Sequence, residues 1–338
     1  MKRKIYIYYT VAVMIAAGIA VSAQSRGKWY ANNTSVHAMA VKSHMETDLQ
    51  FLTDSICNGR ASGTRGNSAA AFWITGKFSE CNLLPFGNSY IRSFFAKEKT
   101  SGHNIIGMLP AAPGRSTNKY IIVGAHYDHI GQINGVMYPG ADSNASGIIA
   151  LTTVLKMMTW SETIGRIYDY NIIFVAFDAK ELSMAGSTHL AQIIKSESLQ
   201  DPITGKRITP KDIKYMVNID QIGGTEPLIP TGRQDFMIML GNDKLQEQDQ
   251  QILSLCNRYY GTRLELHYTY FGSENFTNLF YNKLSDQKAF IEIGIPSVLF
   301  TSGITMRNNK PNDDAASIDM DILRRRTILI WEWLSMIA

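Results

Sequence analysis

Cysteine is scarce in this chain: 338 residues hold three, Cys57, Cys81 and Cys256, and no two stand in a Cys-x-x-Cys spacing. That scarcity gives a thiolate zinc site no support. At most one disulfide can form, and Cys57 with Cys81 is the more local pair. Surplus charge is lacking too. Lys+Arg number 33 and Asp+Glu 29, but three bases and no acid fall in the first 23 residues, so the remainder is nearly neutral and implies no nucleic-acid surface. Internal repeats and low-complexity linkers are absent, and the composition is not that of a disordered, collagen-like or coiled-coil chain. What remains, 45% hydrophobic and 18% charged residues, suffices to bury a large core.

The apolar run from about Ile5 to Val21 follows Lys2, Arg3 and Lys4 and ends in Val21-Ser22-Ala23, the pattern of a cleavable signal peptide over residues 1–23. Tyrosines interrupt the run and a cleavage site ends it, which argues against an uncleaved anchor; no cysteine follows to carry a lipid. The expectation is a single mature domain, 24–338, exported to a periplasm or secreted, with no membrane span after cleavage.

Downstream, short runs rich in β-branched and aromatic residues alternate with longer amphipathic stretches. "KYIIVGAHYD" (119–128), "NIIFVAFDA" (171–179), "IKYMVNID" (213–220), "DFMIML" (235–240) and "IPSVLFTS" (295–302) read as buried strands. Residues 145–158, 247–260 and 322–337 read as helices. This alternation predicts an α/β fold, a three-layer αβα sandwich around a mainly parallel, mixed sheet, with its ligand site at the carboxyl ends of the strands. The strand ends carry His126 and Asp128, then Lys180 and Glu181, then Asp220, with "PGADSNASG" (139–147) nearby. Singly, each has a plain explanation as an N-cap or a hydrogen-bonded histidine. Together they are the nitrogen and oxygen donors that zinc accepts. Arg324 to Arg326 read as a solvated helix face, the Trp331 and Trp333 pair as packing.

Seven ordered segments, from "GRASGTRGNSAAAF" (59–72) through "VGAHYDHIG", "YPGADSNASG", "FVAFDAKELSMAGS", "MVNIDQIGG" and "SDQKAFIEIGIPSVLFTSG" to "NNKPNDDAASID", resemble the co-catalytic zinc aminopeptidases. That family includes bacterial leucyl aminopeptidases, the glutamate-carboxypeptidase type and glutaminyl cyclases. The resemblance implies a zinc-exopeptidase-like fold in which two zinc ions activate a water and a glutamate takes its proton. It places His126, Glu181 and Asp220 at ligand positions and Asp128 behind His126 as its orienting carboxylate.

Three positions depart from that pattern. Ser143 stands where the bridging aspartate belongs, Lys180 where the general base belongs, and Asn309 where the late histidine ligand belongs; Gln287 also replaces a histidine. Asp128, Glu181 and Asp220 oppose a single Lys180 ammonium, and a protonated His126 would leave one excess negative charge, close to balance without metal. Lys180 is therefore expected to occupy part of the zinc volume and to pair with Glu181 or Asp220. The resulting expectation is an impaired or non-catalytic homologue with no zinc or at most one, binding peptides or protein N-termini. The alternative is an active aminopeptidase or glutaminyl-cyclase-like enzyme with an altered single-metal site.

Overall fold

The structure, a computed structural model, describes residues 33–96, 100–115, 118–226 and 232–338. The signal-peptide segment 1–23 lies outside the described residues. Two compact units are present: Met1–Met39, of which 33–39 are described and mostly helical, and Ala40–Ala338, which carries everything that follows.

The strands are β1 (Leu84–Pro85), β2 (Ile91–Phe95), β3 (Ser101–Leu109), β4 (Tyr120–His126), β5 (Gly131–Ile133), β6 (Val136–Tyr138), β7 (Asn171–Phe177), β8 (Ile213–Ile219), β9 (Phe236–Leu240), β10 (Glu265–His267) and β11 (Ser297–Thr301). The helices are α1 (Lys42–Thr53), α2 (Arg65–Glu80), α3 (Ser146–Thr163), α4 (Ala185–Lys195), α5 (Glu247–Gln250), α6 (Ile252–Tyr259), α7 (Glu274–Lys283), α8 (Gln287–Ile291) and α9 (Met320–Ile337). Nine strands form one sheet in the order β1-β3-β7-β4-β8-β11-β9-β10, with β2 also on β3; β5 and β6 make a separate hairpin. The central four, β7-β4-β8-β11, are parallel, while β3 and β9 flank them antiparallel.

Every residue of β4 and β7 is buried, as expected of strands covered on both faces. Tyr120 and Ile122 of β4 and Ile173, Val175 and Phe177 of β7 share an apolar cluster with Leu190 and Ile194 of α4 and Phe290 of α8. Strand alternation turns Ile121, Val123, Ile172 and Phe174 to the opposite face. There α3 lies against β4 and β7 and packs on α9. The mixed sheet with helices on both faces is the α/β sandwich foreseen.

From β4 the chain passes to β7 on one side and then to β8 on the other, so the strand order reverses at β4, the place where such sheets open a crevice at the carboxyl ends. His126 ends β4 level with Phe177; Lys180 follows just beyond β7, and Asp220 is the residue after β8.

Four details differ from the reading of the sequence. The helix expected over 247–260 is interrupted at Gln251, which leaves α5 and α6. Strand β3 was masked by its glycines, which are there for space: a Cβ on Gly102 would strike the Phe94 ring, and one on Gly107 the Leu83 side chain. Cys57 and Cys81 are free, as is Cys256. They flank opposite ends of the 16-residue α2, whose length of roughly 24 Å at 1.5 Å per residue is far beyond disulfide reach. The arginine run is not a solvated face. Arg326 is fully buried, Arg325 bonds Thr262 O and Asp235, and Arg324 bonds Ala40 O.

Candidate functional site

His126 and Asp220 meet at the floor of the crevice, both buried. The His126 Nε2–H donates to Asp220 Oδ1 at 3.2 Å and its Nδ1–H to the carbonyl of Asp128 at 3.0 Å. Burial opposes a charged ring, but the Asp220 carboxylate outweighs it and the imidazole is pushed up to about 10, an imidazolium at neutral pH. Reciprocally, burial would raise the Asp220 carboxyl, yet His126 and Lys180 hold it well below the carboxylate range. Its second oxygen accepts the Ser285 hydroxyl at 2.5 Å.

The Asp128 carboxylate does more than stand behind His126. Its Oδ1 is 3.7 Å from the ring, while its two oxygens accept the backbone amides of Lys180 (2.9 Å) and Glu181 (3.0 Å). It thereby clamps the turn after β7 to the turn after β4. Lys180 Nζ donates to Glu181 Oε1 at 3.0 Å, so of the two expected partners Glu181 takes the hydrogen bond. Burial disfavours the ammonium, but the Asp220 and Glu181 carboxylates lift its pKa well above the ordinary lysine value.

The third wall is the turn 141–145, entered through left-handed Gly140 (φ 61°). Asp313 accepts the amides of Asp142 (2.8 Å) and Ser143 (3.1 Å), and buried Arg60 donates to the carbonyls of Pro139, Gly140 and Tyr127. Asn144 joins three elements: its amide reaches Ile219 O at 2.9 Å, and its Oδ1 accepts the amides of Gly147 and Gln221. Ser143 Oγ is buried with no hydrogen-bond partner. Asp142 is held by the Gly223 amide at 2.7 Å, and burial pushes its carboxyl up to about 7. Asn309 is exposed on a turn with φ 57°. Gln287 is structural: it links Asn218 of β8 to the carbonyls of Phe280 and Tyr281 at the end of α7. Sequence reading assigned no role to Arg60, Asn144, Ser285 or Asp313, although all four stand inside the quoted segments.

A cavity of about 200 Å³ opens beside Lys180 and Asp220. Ser285, Gln221 and Asn308 continue its polar side; Tyr270, Phe280, Leu284, Leu299 and Ile304 form the apolar wall. Tyr270 and Phe280 are stacked with centroids 3.8 Å apart. Met306, at 74% exposure, stands outside it.

His129 is buried behind the site, and neither ring nitrogen has a partner. Burial, with Arg60, His126 and Lys180 nearby, lowers its pKa to about 2. The folded ring stays neutral while the unfolded one takes a proton below its free value of about 6.5, so this residue's stability contribution is complete above that pH and is lost as pH falls below it. Between pH 6.5 and 5 the unfolding free energy should fall with a slope of up to about 1.4 kcal/mol per pH unit from this group. His129→Phe should flatten the slope by one proton in urea denaturation across that range; an unchanged slope would refute the assignment.

The residues do not fit a two-zinc centre. The bridging carboxylate's place is taken by a hydroxyl, the His126 and Asp220 donors are spent on each other, a cation bonds Glu181, and Asn309 points from an exposed turn. Among the described residues no group of three His, Cys, Asp or Glu is arranged to hold an ion.

A mixed sheet with helices on both faces and a polar cluster at the carboxyl ends of its central strands define an α/β protein with its site at the sheet edge. Residues 104–334 match Peptidase family M28, and the chain belongs to that family. It is 28% identical over 152 residues to Leucine aminopeptidase 1 of Paracoccidioides brasiliensis, covering 44% of this chain and 36% of that protein. Nicalin of Caenorhabditis elegans is 37% identical over 93 residues, 25% of this chain and 15% of that protein. The chain thus spans about a third of the length of the leucine aminopeptidases it matches. Among solved structures, LapB from Legionella pneumophila superimposes with a TM-score of 0.66 at 18% identity, over 90% of this chain and 74% of that one. Macrostomum lignano glutaminyl cyclase gives 0.68 at 14%, over 90% and 92%. At these identities the likeness establishes the fold.

Proposed function

We propose that this protein is an exported, non-hydrolysing member of the M28 peptidase family that keeps the cleft as a binding site for peptides or peptide ends and holds no zinc, or at most one. The observation that carries this reading is the Lys180 to Glu181 ion pair at 3.0 Å, beside an Asp220 already bonded to His126. A general base must take a proton from water. Lys180, kept protonated by Asp220 and Glu181, has no lone pair to do so. Its charge also opposes a divalent ion at the same carboxylates. Export rests on the basic, apolar and small-residue segments of residues 1–23.

Purified protein incubated with excess zinc or cobalt should hold close to no metal after desalting, by elemental mass spectrometry, and should not hydrolyse aminoacyl-anilides. Metal-dependent turnover that His126→Ala abolishes would overturn the reading in favour of a single-metal enzyme.

A further inference from the structure

The non-hydrolysing reading leaves open which end of a ligand enters the cavity, and the bonding state of its polar lining decides between them. Asp220, the carboxylate that lines the cavity, has one oxygen bonded to the His126 ring and the other to Ser285. Glu181 is bonded to Lys180. An incoming ammonium would therefore meet the Lys180 ammonium on the cavity wall, with the neighbouring carboxylates already engaged. An incoming carboxylate meets an ammonium that lines the cavity and has given one of its three N–H groups to Glu181.

The rest of the lining extends the same preference. Gln221 is 6% exposed and its Oε1 is buried without a partner; Asn308 Oδ1 is likewise buried and unpartnered. Both residues line the cavity. Unpaired buried acceptors cost free energy until a donor reaches them. An N–H one bond from the α-carbon that bears the carboxylate is such a donor. Gln221 is held with φ 56°, a conformation a non-glycine residue rarely takes, by the Asn144 side chain on its amide and by Ser302 on its carbonyl. Beside these groups in the lining, Phe280, Leu284 and Ile304 offer an apolar surface. At about 200 Å³ the space is smaller than the ~300–1,000 Å³ of sites for drug-sized ligands, which suits a single residue. Leu284 (42% exposed) and Ile304 (38%) lie at the surface, so a chain attached to that residue's nitrogen can leave past them.

Resting on the reading above, we infer that the cavity binds an apolar α-amino acid whose carboxylate is free and whose nitrogen is acylated, with the carboxylate on Lys180, the amide N–H on Gln221 or Asn308, and the side chain against Phe280, Leu284 and Ile304. Such a group exists both as a small N-acyl amino acid and as the carboxyl-terminal residue of a peptide.

Isothermal titration of the mature chain with N-acetyl-leucine, acetyl-Gly-Gly-Leu and leucinamide tests this. N-acetyl-leucine should bind at least tenfold more tightly than leucinamide, which has the amine and lacks the carboxylate. Lys180→Met should weaken it at least tenfold, whereas Lys180→Arg, which keeps the cation, should stay within about threefold; melting curves identify a variant that has not folded, and the arginine variant then carries the comparison. Tighter binding of acetyl-Gly-Gly-Leu than of N-acetyl-leucine identifies peptide carboxyl ends as the source; equal or weaker binding identifies the small acyl amino acid. Leucinamide binding as tightly as N-acetyl-leucine, no binding of either carboxylate, or indifference to Lys180→Met would overturn the inference. Chromatography of the same mixtures for cleavage products separates the two failures: cleavage counts against the non-hydrolysing reading, whereas absent carboxylate binding without cleavage counts against this inference alone.

Discussion

Lys180→Glu is expected to lower the melting temperature of metal-free protein by about 10 °C, and added zinc is expected to restore most of that loss while leaving the wild type unmoved. The substitution replaces a 3.0 Å ion pair by two adjacent carboxylates in a site that already holds Asp220. Removing one partner of a buried pair costs about 3–5 kcal/mol. The Lys180 side chain is 16% exposed and that of Glu181 27%, so water screens part of the effect and the lower figure, about 3 kcal/mol, applies. For a domain of this size each 1 kcal/mol moves the melting temperature by about 2–4 °C. With the ammonium gone, His126, Glu181, Asp220 and the new carboxylate form a donor set that a divalent ion can neutralise. Differential scanning calorimetry with and without zinc decides the matter. A variant as stable as the wild type without metal, or a wild type stabilised equally by zinc, would mean that Lys180 is not the site's internal counter-ion.

Arg326→Met should cost still more, on the order of 4–5 kcal/mol, because each of four carbonyls left unpaired costs about 1 kcal/mol or more. The buried guanidinium donates to Phe236, Ile222 and Gly224, each at 2.7 Å, and to Gln234 at 3.2 Å. Burial lowers its pKa to about 10, which leaves it charged at neutral pH. It ties the segment that follows Asp220 and Gln221 to β9, so the loss should also loosen the cavity. Arg326→Lys keeps the charge but not the fork and should fall between the two. Urea denaturation measures the effect through the midpoint at constant slope. A methionine variant within about 1 kcal/mol of the wild type would show that water can replace the clamp.

Much of this molecule was legible because burial leaves a local trace. "YIIVGAH" and "NIIFVAF" are apolar at every position since helices cover both faces of β4 and β7, and that continuity reads as buried strand without coordinates. Strand β3 was not legible, because Gly102 and Gly107 yield their side-chain space to Phe94 and Leu83, neighbours that the chain order does not reveal. The helix at 247–260 was read as continuous since apolar spacing runs through Gln251, where the backbone breaks. Arg324 to Arg326 read as solvated because charge usually is; only the carbonyls gathered around Arg326 make its burial possible.

By itself the sequence determined that the chain alternates strands with helices, that its strand ends carry His126, Lys180, Glu181 and Asp220, and that serine, lysine and asparagine occupy three positions of a metal-site pattern. Those are matters of residue identity and short-range periodicity. The tertiary structure alone decided that Lys180 bonds Glu181 while Asp220 is shared by His126 and Ser285. It likewise decided that the Asp128 carboxylate clamps the amides of Lys180 and Glu181, and that Gln221 and Asn308, which line the cavity, hold buried oxygens without partners. Most of these contacts join residues 50 to 100 positions apart, and hydrogen bonding and screening at such pairs depend on distances set only when the sheet brings the strand ends together.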